Sequence, residues 1–251
     1  MRTKTGLLVV SLLCFALAAD RPAIASNVQA TAWTWGWGCS LDSHTQLGST
    51  TATASANCVD TFGSGAQSSS YTLVTRDPKT ALNAMITTDA ASSANNWDNT
   101  WAGATGSWSE SVVAWGGTGQ GLLWLDYQIS GSMDWGTYTA IEAACLTTTD
   151  LDYCFPYSQP PWGTVDIIPF TFGQTFDVAA SLEAEVVASY GSADVTLEMG
   201  PPSYYFTDLN GFQIGGTLEL TPEPASLLLF GTGLLALGAR VGRIRFRGTR
   251  L

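Results

Sequence analysis

The chain is short of bases, of histidine and of long apolar runs, and each shortage closes off a class of function. Between residues 26 and 221 the only cationic side chains are Arg76 and Lys79, against 19 acids, a formal charge of −17. A surface this negative repels nucleic acid and anionic lipid, because binding either one rests on neutralising phosphates with lysine and arginine. Neutral polymers and divalent cations remain as partners. His44 is the single histidine, and no Cys-x-x-Cys pair occurs, so the ligand set of a zinc site is missing. There is no Gly-x-Ser-x-Gly elbow to carry a serine nucleophile. The glycine-rich stretch from Gly116 to Gly121 has neither the lysine nor the following helical pattern of a phosphate-binding loop. Glycoside hydrolysis needs two carboxyls set apart in a cleft, and no pair stands out among the 19. A secreted glycan-active enzyme is therefore the weakest of three readings.

No apolar run reaches the roughly 20 residues that cross a bilayer core, but two shorter ones stand at the ends. Arg2 and Lys4 precede an apolar stretch from Gly6 to Ala19, and Ala23, Ile24 and Ala25 follow with the small-x-small pattern of a signal-peptidase site. Residues 1–25 read as a cleaved signal peptide. At the other end, Pro222, Glu223, Pro224, Ala225 and Ser226 lead into an apolar run ending at Ala239, then Arg240, Arg243, Arg245 and Arg247. A helix over 225–241 is a marginal, short transmembrane anchor, with the arginines on the cytoplasmic side and the acidic body outside. The prolines stop any strand or helix from running through and leave Glu223 exposed to a processing enzyme.

The body, residues 26–221, holds four cysteines, Cys39, Cys58, Cys145 and Cys154. An even number in a chain bound for an oxidising compartment reads as disulfides. Two local pairs, 39 with 58 and 145 with 154, are the simplest of three connectivities. Asp150 and Asp152, with Asp42, Asp60 and Asp166, are the candidate calcium ligands, on the ground that hard cations take oxygen donors. Their spacing matches no EF-hand, and no other cofactor is implied.

Period-two patterns dominate. Even positions from Phe176 to Tyr190 are apolar or small and odd ones largely polar, and Val195, Leu197 and Met199 alternate with Asp194, Thr196 and Glu198 after a break at Gly191. The second segment reads as the return strand of the first. Ser111 to Trp115 and Leu122 to Ser130 read as a hairpin around the glycine-rich loop. Pro78 to Thr87 reads as a short helix. The expected fold is an all-β antiparallel sandwich, jelly-roll-like, with a composition shift near Gly106 that leaves two smaller units open.

All ten tryptophans lie between Trp33 and Trp162. Trp33, Trp35 and Trp37 share one face of a strand. Trp97 and Trp101 stand among Asn95, Asn96, Asp98 and Asn99, a combination that offers flat rings and hydrogen bonds to a sugar. The competing role is core packing in a sandwich poor in leucine and isoleucine.

The order Pro-Glu-Pro, short apolar helix, arginine cluster resembles the PEP-CTERM sorting signal of Gram-negative bacteria. That resemblance implies signal peptidase and exosortase as partners, transient insertion in the inner membrane, and removal of the tail, residues 222–251. It also implies an association with the exopolysaccharide of biofilms, on the outer surface or in the extracellular matrix. A non-catalytic matrix protein is the first reading and a carbohydrate-binding module the second.

Overall fold

The computed structural model describes residues 27–36, 39–48, 50–59, 64–74, 82–95, 99–155 and 161–221. Residues 1–25, read as a signal peptide, Trp37, Asp60, Trp97 and residues 222–251, on which the Pro-Glu-Pro motif, the expected helix and the arginines fall, lie outside them.

Polar and apolar positions alternate along nearly every stretch, and the described residues form strands with no helix. In chain order these are β1 (Asn27–Gly36), β2 (Cys39–Gly48), β3 (Thr51–Val59), β4 (Gly65–Val74), β5 (Ala84–Ala94), β6 (Thr100–Trp115), β7 (Gln120–Trp135), β8 (Thr139–Thr148), β9 (Asp152–Cys154), β10 (Trp162–Thr171), β11 (Thr175–Ala188), β12 (Gly191–Met199), β13 (Ser203–Thr207), β14 (Gln213–Ile214) and β15 (Thr217–Leu220). Residues 84–87, read from sequence as the end of a short helix, are instead strand β5. Met85 and Thr87 look outward while Ala84, Ile86 and Thr88 are buried, which is period two and not 3.6.

The strands make two antiparallel sheets packed as a sandwich. The first runs β2-β1-β6-β11-β8-β9, with β15 also on β6; the second joins β14-β13-β7-β12-β5-β4-β3, with β10 on β7. Within them β5-β12-β7-β10 and β6-β11-β8-β9 are the two four-stranded sheets of a jelly roll. The first four strands widen it, β1 and β2 on one sheet, β3 and β4 on the other.

This topology overturns two hairpins. β6 and β7 belong to different sheets, as do β11 and β12. The loop at Gly116 and Gly119, both at positive φ, crosses from one sheet to the other, and Gly191, at φ 122°, turns the second crossing. Alternation reveals which side of a strand faces the core, but a hairpin and a crossover share it.

The sandwich is thin at the end built from β1 to β5 and thicker toward β7 and β11. At the thin end the interior is Ala30, Ala32, Ala52, Ala54, Ser68 and Ser70. Hydroxyls cross directly from sheet to sheet: Ser68 donates to the Trp33 carbonyl at 3.0 Å, Thr72 to that of Gln29 at 3.0 Å and Ser92 to that of Thr100 at 2.8 Å. Toward the thick end Leu123, Leu125, Leu182 and Leu197 are fully buried, as is Trp108. The composition shift near Gly106 therefore follows core thickness along one ladder, since β6 runs unbroken through it.

Gly106 sits where the two sheets approach. A Cβ there would lie 2.3 Å from Ile86 Cγ2 and 2.8 Å from Thr72 Oγ1. Overpacking such a site costs about 1–3 kcal/mol, and each kcal/mol is worth about 2–4 °C in a body of this size. Gly106→Ala is expected to lower the melting temperature by several degrees in a calorimetric scan; an unchanged midpoint would contradict the close approach.

The sheet edges are guarded against pairing with other chains. On edge strand β3 the Thr53 and Asn57 N–H groups donate to Gln46 Oε1 and Asp42 Oδ2 of β2, at 2.6 and 3.1 Å. On edge strand β10, Pro169 removes a donor and Asp166 points inward, where it is buried.

Candidate functional site

β1 presents alternate side chains to opposite sides, and the thin interior decides which. Around residues 32–36 the interior is lined by alanine, serine and threonine, which leaves no room for an indole, so Ala32, Thr34 and Gly36 point inward while Trp33 and Trp35 stand on the outer face. This places them against the core-packing role. Trp101, on the neighbouring β6, is directly opposite Trp35, and Trp33 is opposite Gly103. The Trp35 and Trp101 rings meet at 4.5 Å between centroids, inclined by 46°. Trp35 keeps 41% of its surface exposed.

Gly103 makes the seat for Trp33. A Cβ at residue 103 would fall 2.4 Å from Trp33 Cε2 and 2.5 Å from Cζ2, so the indole lies down across the bare backbone of β6. The result is an aromatic strip of three rings along the first sheet, held by the ladder beneath it. Gly103→Ala is expected to lift Trp33 and weaken whatever the strip holds while leaving the interior untouched. Polymer retardation together with a thermal melt checks this: reduced retardation at an unchanged midpoint is the expected pair.

Carboxylates flank the strip. Glu185 on β11 pairs with Gly103, and Glu183 with Thr105. A register shift in β8 opposite Glu185 and Val186 leaves Glu142 as the extra residue and swings it toward them. Partial burial, then the charges of Glu183 and Glu142, hold the Glu185 carboxyl above the usual carboxylate range. On the second sheet, burial and then Asp89 and Asp134 do the same to Asp194. Asp166 is also raised, first by burial, with a lowering hydrogen bond from Thr148 and an opposing contribution from Asp150.

These shifts carry a sign. A carboxyl whose folded pKa exceeds its unfolded one adds stability below the unfolded value, near 4, and loses it as pH rises through the folded value. Among the described residues Asp208 moves the other way, lowered first by the Phe212 N–H; its contribution is present above about pH 4 and so is unchanged across the higher window. The melting temperature is expected to be higher at pH 5 than at pH 7.5 at fixed ionic strength. Equal midpoints would contradict the crowding of these acids.

The remaining sequence candidates fall elsewhere. Cys145 and Cys154 are joined across β8 and β9, and Cys58 is disulfide-bonded; the side chain of Cys39 lies outside the described residues. Of the calcium candidates, Asp150 and Asp166 are close enough to feel each other's charge. Asp152 accepts a hydrogen bond from Thr147 at 3.1 Å, and Asp42 faces His44 at 2.9 Å on the β2 edge. Among the described residues no three acidic, cysteine or histidine side chains gather as a metal site. Sequence reasoning singled out Trp101, and noted that Trp33 and Trp35 share a face. It missed that the three form one strip, because pairing of β1 with β6 spans some 70 residues.

Residues 220–244 match the PEP-CTERM protein-sorting motif. No curated protein and no solved structure matches the chain. The chain thus carries a sorting motif that marks it for export, transient membrane anchoring and recognition by an exosortase.

Proposed function

We propose that the exported body works outside the cell as a non-catalytic protein of the extracellular matrix, holding exopolysaccharide on the outer face of its first sheet. The observation that carries this reading is the strip of Trp33, Trp35 and Trp101, three indoles on the outer face, with Trp33 seated on Gly103, Trp35 exposed and Trp101 packed against it. Flat aromatic faces cover the apolar faces of pyranose rings, and Glu183 and Glu185 beside them accept hydrogen bonds from hydroxyls. A body charge of −17 favours a neutral polymer over an acidic one.

The acids support binding over hydrolysis. Glu142, Glu183 and Glu185 lie on an open sheet face, whereas a hydrolase needs its two carboxyls on opposite sides of a bond held in a cleft. Asp89, Asp134 and Asp194 likewise lie on the outer face of the second sheet, and Tyr127 and Asp166 are buried out of reach of a polymer.

Titrating the protein with the producing cell's own exopolysaccharide, while following tryptophan emission, tests the reading. A saturable change in intensity or wavelength is expected from the exposed Trp35 and half-buried Trp101. Emission that stays constant across the titration counts against it.

A further inference from the structure

The outer face of the second sheet carries a second set of aromatic groups. Ile167 on β10, Trp124 on β7 and Tyr205 on β13 form one row at a single register level. The Trp124 and Tyr205 rings stack at 5.6 Å with 11° between their planes. Trp124 Nε1 donates to Thr207 Oγ1 at 2.9 Å, which fixes the indole. One pleat away, Gln128 Nε2 donates to Asp126 Oδ1 at 2.8 Å, so a polar pair that both donates and accepts borders the stack. Tyr205 is 42% exposed and Ile167 39%.

What covers such a row is decided by charge and chemistry. A second copy would bring another −17 against the first, a repulsion that salt screens beyond about 10 Å but that acts on surfaces brought into contact. A polyanion is excluded for the same reason. Stacking covers one face of each ring, so it is the exposed remainder of Tyr205, with the Gln128 amide and the Asp126 carboxylate nearby, that suits a neutral pyranose polymer. We propose that Trp124 and Tyr205, with Asp126 and Gln128, form a second saccharide platform, and that the protein is bivalent and ties two polysaccharide chains together. This rests on the reading that the Trp33, Trp35 and Trp101 strip binds such a polymer. The platforms lie on opposite outer faces of a sandwich, so one stiff chain does not reach both. Two linked sites act on a network far more strongly than either does alone.

The test uses mature protein recovered from the culture medium and the neutral β-glucan hydroxyethylcellulose. Retardation in a gel containing the glucan reads binding; the rise in solution viscosity reads cross-linking; light scattering without glucan reads the protein's own mass. Wild type is expected to be retarded, to raise the viscosity, and to be a monomer. Tyr205→Ala is expected to remain retarded through the first sheet and to lose the viscosity rise, while Tyr205→Phe keeps both. Ile167→Glu, on the same row, serves as an independent second variant with the same expected loss should Tyr205→Ala fail to fold. Cross-linking that survives in Tyr205→Ala or Ile167→Glu overturns the proposal, as does cross-linking by a wild type that is already a dimer. If Trp35→Ala leaves retardation unchanged and Tyr205→Ala abolishes it, the first platform fails and the bivalent reading with it. A wild type that is not retarded at all also overturns both.

Discussion

Replacing Trp35 and Trp101 together by alanine is expected to remove the first sheet's grip on a neutral polysaccharide, so that retention falls to what the second sheet alone supports, while leaving the fold intact. A sugar ring laid on an indole removes on the order of 50 Å² of apolar surface from water, worth about 1.3 kcal/mol at 25 cal/mol per Å². That is about tenfold in affinity for each ring, and about a hundredfold for two independent rings. Both residues point away from the interior, so truncation opens no cavity between the sheets. Stability should move by about 1 kcal/mol or less, as for other surface positions. Affinity electrophoresis and a thermal melt of the same preparation check this. Loss of retention accompanied by a collapsed melt would instead make the strip a structural feature.

The second large effect lies in the tail. Glu223→Gln removes the charge between Pro222 and Pro224 in the sorting motif that spans residues 220–244. Processing should then fail, and nearly all of the protein should remain in the membrane fraction with its arginines attached. Wild type should be recovered outside, without them. Cell fractionation with antibody to the body, and a mass measurement of each form, reads the outcome. Equal release of wild type and variant would show that Glu223 takes no part in recognition. The folded body sets one bound on the cut: the Thr221 N–H and hydroxyl both bond the Ser111 carbonyl, at 2.9 and 2.8 Å. Chain before that residue is therefore tied into the ladder.

Particular residues show how far the sequence could be read. In β11 the even positions Val178, Ala180, Leu182, Ala184, Val186 and Ala188 are all buried, as their alternation with acids and serines requires. Fold class and the direction of that face follow from local pattern alone. β1 is the opposite case. Its two faces are Trp33 and Trp35 against Ala32 and Thr34, and hydrophobicity assigns the tryptophans to the core. The opposite sheet is the missing information: Ser68 and Thr72 of β4 bond directly to carbonyls of β1, which leaves space for alanine and none for indole. Strand partners were hidden for a related reason. A glycine-rich connection such as Gly116 to Gly119 serves a hairpin or a crossing equally well. Only the packing of β6 on β11 and of β7 on β12 distinguishes them. The sorting motif was legible because its recognition depends on short-range order in the chain, without any tertiary contact.

Affinity electrophoresis of the culture-derived protein, run in parallel through gels containing a neutral β-glucan and an acidic polyuronate, tests the central claim most directly. Marked retardation in the neutral gel and free migration in the acidic one is the expected result. The same mobility in both gels as in plain gel, or retardation by the polyanion alone, would contradict it.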